Sequence, residues 1–228
     1  MSAVRLTYYS DLLCIWAYVA QARIDAVKED FGRDVEIEQR FCSVFGDARE
    51  KLTAAWRDRD GFAGYSRHVH SIAAKFSHAR VGPDAWLNTQ PASSASPHLF
   101  LAAMRTLQPT EPGAAHEASL RFDSVMWAFR RGFFEDGLDI STWDVQCALA
   151  RPFGVDLDAV SAAMRNGTAF ATLSGDYREA ERIHIEGSPT IVLNEGRQKL
   201  FGNVGFRIID ANIRELLREP SPEQASWC

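Results

Sequence analysis

Residues 10–21 read SDLLCIWAYVAQ, and the position of Cys14 within them decides how the rest of the chain is read. Before it, Val4-Arg5-Leu6-Thr7-Tyr8 alternates apolar and polar side chains, the pattern of a half-buried strand over 4–8. After it, 15–31 places Trp16, Ala20, Ile24, Val27 and Phe31 at helical spacing along one face, and Gly32 supplies a stop. Ser10 and Asp11 are residue types that cap helices. Cys14 therefore falls where a strand ends and a helix begins. Val35, Ile37 and Phe41 restore the two-residue period, so 35–42 reads as a second strand. The opening is a β-α-β unit, for which a parallel pair with a right-handed crossover is the expected geometry.

From about residue 47 the texture turns helical. Segments near 47–58, 62–78, 97–107, 115–132, 142–151, 156–164 and 168–184 are predicted as helices, divided by breakers such as QPASSASP and QPTEPG. Asp156, and Ser141 with Asp144 three residues on, are predicted N-terminal caps. Strand texture returns at Thr190-Ile191-Val192-Leu193. Asn194-Glu195-Gly196 makes a turn, and 198–201 pairs back as a hairpin. An amphipathic helix follows over 205–218, with Phe206, Ile209, Ile213, Leu216 and Leu217 on one face. The order β-α-β, helical block, β-β-α is that of an α/β thioredoxin-like fold interrupted by a large all-helical insertion. The expected division is 1–46 with 185–220 as the sheet domain, 47–184 as the insertion and 221–228 as a mobile tail.

Net charge is −5 and no basic block occurs, which removes the electrostatic footprint of a nucleic-acid binder. No apolar run approaches the roughly 18 residues a membrane span needs. The N-terminus has no basic segment followed by a long apolar stretch, so a cytoplasmic location is expected. There the sequon Asn166-Gly167-Thr168 has no consequence. His68 and His70 are two apart and would point to different sides of a helix. With no H-E-x-x-H, P-loop or G-x-G-x-x-G either, no bound metal or nucleotide is expected. The four cysteines, Cys14, Cys42, Cys147 and Cys228, are far apart and form no C-x-x-C pair.

A cysteine at a helix N-terminus faces unpaired backbone N–H groups and the positive end of the helix dipole. Both favour the thiolate, which is the nucleophile. Free cysteine is also among the commonest buried residue types, so placement alone leaves a structural cysteine as the competing reading. A second feature stands beside it. Gly187-Ser188-Pro189-Thr190 leads directly into a predicted strand, where a proline is either a plain strand-entrance residue or a cis-proline that leaves the preceding backbone exposed to a ligand.

Together these two motifs resemble the DsbA-like thioredoxin superfamily, in particular its cytosolic FrnE-type oxidoreductases. That family opens with a pattern like S-D-x-x-C-P-W-C-Y, against Ser10-Asp11-Leu12-Leu13-Cys14-Ile15-Trp16-Ala17-Tyr18 here. Its cis-proline loop resembles Gly187-Ser188-Pro189-Thr190-Ile191-Val192, and the stretches 99–106 and 129–141 of the insertion are similar as well. The resemblance implies a catalytic Cys14, with Trp16, Tyr18, Ser188 and Pro189 around the substrate. It implies a protein or low-molecular-weight disulfide or thiol as substrate, and no bound cofactor. Two departures bear on mechanism. The family's second cysteine is replaced by Ala17 and the proline between by Ile15. Cys14 would still form a mixed disulfide, but Ala17 would not resolve it. Glutathione as co-substrate, a substrate thiol, or another cysteine must then do so. Core packing is the reading for Cys42 and Cys147. Cys228, on the tail, reads as an exposed free thiol, with reach to Cys14 in its own or a neighbouring subunit as the alternative, and a homodimer stays open.

Three functions are consistent with these residues. The first is a monothiol thiol-disulfide oxidoreductase linked to glutathione. The second is a glutathione-dependent isomerase or transferase, resembling 2-hydroxychromene-2-carboxylate isomerases and kappa-class glutathione transferases, which also lack a resolving cysteine. The third is a non-enzymatic binding protein on a decayed redox scaffold, since fold does not fix reaction.

Overall fold

A computed structural model describes residues 3–218. The segment 221–228 and Cys228, read from sequence as a mobile tail, lie outside the described residues. Strand β1 (Val4–Ser10) is followed by helix α1 (Ile15–Phe31) and strand β2 (Val35–Phe41). The helical block comprises α2 (Ala48–Ala55), α3 (Gly61–Ala73), α4 (Ala95–Thr106), α5 (Pro112–Phe134), α6 (Trp143–Ala150), α7 (Leu157–Arg165) and α8 (Thr168–Arg182). Strands β3 (Thr190–Leu193) and β4 (Gln198–Phe201) and helix α9 (Phe206–Leu217) complete the chain.

The sheet order is β2-β1-β3-β4. β1 runs parallel to β2, from Val4 opposite Val35 to Ser10 opposite Phe41, as a β-α-β crossover requires. β3 joins the other side of β1 antiparallel, with Tyr9 opposite Thr190, and β4 closes the hairpin. Left-handed backbone at Asn194, Glu195 and Gly196 turns that hairpin. The two ends of the chain thus form one sheet around β1, the thioredoxin-like arrangement with a helical insertion.

Period-2 alternation divides β1 between two packing layers. Val4, Leu6 and Tyr8 meet Ile24, Val27 and Phe31 of α1 and Ile209 and Ile213 of α9. On the opposite face Tyr9 packs with Cys42, Val192 and Ala180 of α8. Residues Leu12 to Val19 leave this arrangement. They join a larger core with Leu52, Tyr65, Val69, Phe100, Leu101, Phe129, Phe133, Val160 and Leu173 of the helical block. The first turn of α1 is therefore the seam between sheet and insertion, and Cys14 stands on it.

Several local expectations hold and several change. Asp156 caps α7, its Oδ1 accepting from the Ala159 N–H at 2.9 Å. Gly32 stops α1 at φ 50°, donating its N–H to Lys28 O. Ser141 does not cap α6. Its hydroxyl donates to Asp139 Oδ1 at 2.6 Å, and Thr142 takes the flanking position. α3 ends at Ala73 rather than 78, because Lys75 and Phe76 bond back three residues instead of four and tighten the last turn. Ser10 and Asp11 do not cap α1. Cys14 occupies the N-cap, and the two polar residues serve the site described below. Among the described residues no helix is long and apolar enough to cross a membrane, and no group of three or more His, Cys, Asp or Glu could hold a metal ion.

Candidate functional site around Cys14

β1 ends at Ser10, a short loop follows, and Cys14 opens α1 with extended backbone (φ −84°, ψ 117°). The Cys14 N–H donates to Asp11 O at 3.2 Å, and Cys14 O accepts from the Tyr18 N–H at 3.0 Å. The Ser188–Pro189 peptide bond is cis. The Cys14 thiol donates to Ser188 O across that loop at 3.2 Å. Residues 174 positions apart thus meet at one sulfur.

The thiol is 6% exposed. Burial pushes its pKa up, and this outweighs the groups that favour the thiolate: the Ser188 side chain and the Ala17 and Trp16 N–H groups at the helix N-terminus. The Asp11 charge adds to the upward shift. The sequence predicts a thiol made acidic by the helix. The helix contribution is present, but desolvation exceeds it, so Cys14 rests as a thiol hydrogen-bonded to Ser188 O.

Asp11 organises the loop. It is fully buried, and its two oxygens only accept. Oδ1 takes the Leu13 N–H at 2.9 Å; Oδ2 takes the Val44 and Phe45 N–H groups at 2.9 Å and the Ser94 hydroxyl at 2.7 Å. Its own N–H donates to Ser188 Oγ at 2.9 Å. One side chain therefore joins the cysteine loop, the segment after β2 and the start of α4, while its backbone pins the cis-proline loop.

His98 of α4 completes the network. Its Nε2 accepts the Leu12 N–H at 3.2 Å, so Nδ1 carries the proton and donates to the Tyr177 hydroxyl at 2.8 Å. The ring stacks on Phe41 with centroids 4.5 Å apart. Burial lowers the His98 pKa to about 4 from 6.5, despite the opposing pull of Asp11. In the unfolded chain the imidazole takes its proton near pH 6.5, while the folded protein refuses it until about pH 4. This share of stability is complete above pH 6.5 and is lost as pH falls towards 4. Denaturant unfolding at about pH 7 and about pH 4.5 should differ by about 2–3 kcal/mol from this group, and a His98→Gln variant should show a correspondingly flatter pH dependence. An unchanged slope in the variant would assign the acid sensitivity elsewhere.

The remaining sequence-predicted residues divide. Trp16 is part-exposed beside Cys14 and packs on the large core. Tyr18 is not a groove residue. Its ring is buried, stacked on Trp127 and Phe134, and its hydroxyl lies 2.9 Å from both Arg80 O and Glu135 Oε1. One turn beyond the N-cap, its side chain turns into the insertion rather than out beside the thiol. Ala17, at the position of a second thiol, is fully buried. Pro189 gives its carbonyl to the Gly202 N–H at 2.8 Å, tying the loop to the end of β4. Cys42 packs with Tyr9, Ala180 and Val192 and Cys147 lies in α6, with burial the main cause raising both thiol pKa values.

No family model matches the sequence and no curated protein aligns with it. Solved structures do match. A probable DsbA oxidoreductase from Streptomyces coelicolor superposes with a TM-score of 0.72 at 22% identity, over 96% of this chain and 92% of its own. The fold is DsbA-like. The cytosolic disulfide reductase DsbM from Pseudomonas aeruginosa, solved with glutathione, shares this DsbA-like fold with a TM-score of 0.63 at 19% identity over 92% and 99% of the two chains. A 2-hydroxychromene-2-carboxylate isomerase does so with a TM-score of 0.59 at 15% identity over 94% and 97%.

Proposed function

We propose that the chain is a thiol-disulfide oxidoreductase that works through Cys14 alone, with glutathione as the second thiol. The observation that carries this is the thiol of the N-cap residue held 3.2 Å from the carbonyl of a cis Ser188–Pro189 peptide. That carbonyl precedes β3, so an extended substrate entering here would compete for it by strand-like pairing. Its arrival releases the S–H bond, and the freed thiol ionises against the Trp16 and Ala17 N–H groups. The thiolate attacks one sulfur of a disulfide. A Cys14–substrate S–S bond forms, the substrate S–S bond breaks, and the departing thiolate takes up the proton Cys14 gave to solvent. Glutathione then attacks the mixed disulfide, forming glutathionyl-substrate disulfide and restoring the Cys14 thiolate, which reprotonates.

The expected result with oxidised glutathione is a glutathione mapped to Cys14, and none at that position in Cys14→Ser. Cys14 left unmodified in the folded protein, but fully reactive after denaturation, would overturn the proposal in favour of a binding protein. A glutathione-dependent isomerase or transferase is the second reading. It is favoured by the buried Ala17 where a resolving thiol would stand and by the likeness to the isomerase structure. Tight binding of reduced glutathione with turnover of a chromene acid, and no disulfide exchange, would select it.

A further inference from the structure

Arg130, on α5, is fully buried. Its Nη2 donates to Ser10 Oγ at 2.8 Å and its Nη1 to Gln21 Oε1 at 3.0 Å. Both acceptors are neutral. Its Nε is buried without a partner, and among the described residues no carboxylate lies within ion-pair distance of it. Asp11, the buried acid of the site, has its oxygens committed to Leu13, Val44, Phe45 and Ser94. A guanidinium keeps its charge in any protein environment, and burying one without a counter-ion is strongly unfavourable. Among the described residues the resting structure puts no carboxylate in contact with this group; the Asp11 and Asp123 charges reach it only from a distance.

Its two anchors show where a closer negative charge would form. Ser10 is four residues before Cys14, at the end of β1, and Gln21 is seven residues after it on α1. A separation of seven puts Gln21 on the same helix face as Cys14, two turns along. The guanidinium therefore sits in the crook between the strand and the helix that flank the cysteine loop. We propose that Arg130 is the buried counter-charge of the Cys14 site, a positioning residue that stabilises the thiolate once substrate has released the thiol from Ser188. This rests on the reading of Cys14 as a nucleophile, and explains how a desolvated thiol beside an Asp11 carboxylate reacts at all. The ionisable groups facing Arg130 are Tyr8, Cys14, Asp11, Asp123 and, from α4, the neutral His98. Those facing Cys14 are Asp11 from its own loop, Tyr8 from β1, Tyr65 from α3 and Cys42 from the end of β2. All of these carry negative charge or none; Arg23 also reaches Tyr8, while the Arg130 charge reaches Tyr8, Cys14 and Asp11 together.

The test is the pH dependence of Cys14 alkylation by iodoacetamide, followed by peptide mapping. Arg130→Gln and Arg130→Met should move the profile up by about one pH unit or more, with roughly tenfold slower alkylation at about pH 7. Rates should converge with the parent protein's at high pH, where every form is thiolate. Arg130→Lys, which keeps the charge, should stay close to the parent. An unchanged profile in the neutral variants, an equal shift in Arg130→Lys, or a uniform slowing at all pH values would overturn the counter-charge role. Should the neutral variants not fold, the unaltered protein still decides it. The Arg130 guanidinium carbon resonance should titrate with the Cys14 midpoint and cease to do so in Cys14→Ser; an Arg130 resonance indifferent to Cys14 overturns the inference. If Cys14 of the parent protein resists alkylation at every pH, the nucleophile reading itself fails, and this inference with it.

Discussion

Replacing Asp11 by alanine is expected to lower stability by about 3–5 kcal/mol, since it strands four buried donors at roughly 1–3 kcal/mol each, part of which relaxation of the loop recovers. For a chain of this size that corresponds to a fall in Tm of roughly 6–20 °C. The magnitude follows from what the carboxylate leaves behind. The N–H groups of Leu13, Val44 and Phe45 and the Ser94 hydroxyl all point at its two oxygens. The side chain is fully buried, so water does not take over those bonds without opening the loop. Asp11→Asn keeps the shape but turns an NH2 group towards donors, and should recover only part of the loss. Ser94→Ala removes one neutral donor and leaves the carboxylate three partners, so about 1 kcal/mol is expected. The effect should also reach the chemistry, because the Asp11 N–H holds Ser188 Oγ and Ser188 O holds the Cys14 thiol. Alkylation of Cys14 should be faster in Asp11→Ala, because the Asp11 charge no longer raises the thiol pKa and because the loop that carries the Asp11 N–H to Ser188 Oγ is held less firmly. A stability within about 1 kcal/mol of the parent, no more than a single neutral hydrogen bond is worth, would show that the loop holds its shape without the carboxylate.

How far this site is legible in the sequence depends on the range over which each signal acts. The β-α-β opening, the closing hairpin and the Asp156 cap rest on neighbours within a few residues, and each is present in the structure. Cys14 and Ser188-Pro189 are marked by local motifs, although their 3.2 Å approach needs the whole insertion to fold between them. Asp11 reads as a helix cap because its residue type suits one. Its actual partners, Val44, Phe45 and Ser94, lie 33 to 83 residues away and leave no trace in local pattern. His98 lies in mostly apolar α4 and Arg130 stands beside Arg131 on mixed-polarity α5, and each reads as solvent-facing until the tertiary packing is known. The reversed direction of the Cys14 pKa has the same origin. The helix N-terminus is a local feature that the sequence shows, whereas desolvation is set by residues from several distant elements. Tyr18 shows that adjacency in sequence to a reactive residue is not adjacency in space, since one helical turn carries it from the site into the insertion core.

Ala17→Cys is expected to change the reaction most. In the parent protein, on the reading proposed above, a mixed disulfide at Cys14 persists until an outside thiol attacks it, and the rate scales with glutathione concentration. Position 17 is the third residue of α1, and its N–H lies against the Cys14 sulfur. A thiol placed there would attack within the same helix turn instead of by collision. Effective molarities for oriented groups far exceed millimolar glutathione, so the mixed disulfide should decay at least roughly a hundredfold faster. Atoms balance without an added reagent: the introduced sulfur bonds to that of Cys14, the Cys14–glutathione bond breaks, and reduced glutathione leaves with the proton from the introduced thiol. The added sulfur enters a fully buried site, and overpacking of this kind costs about 1–3 kcal/mol, which a folded domain of this size tolerates. Quenched-flow mass analysis after mixing with oxidised glutathione distinguishes the outcomes. The parent should accumulate glutathione on Cys14, and the variant an internal disulfide, two hydrogen masses lighter, with little adduct at that position. If the variant instead holds its adduct as long as the parent does, the two sulfurs do not share a face of the site. A parent that never forms the adduct would mean that Ala17 does not stand in for the missing half of a redox pair, and that Cys14 is used for binding rather than exchange.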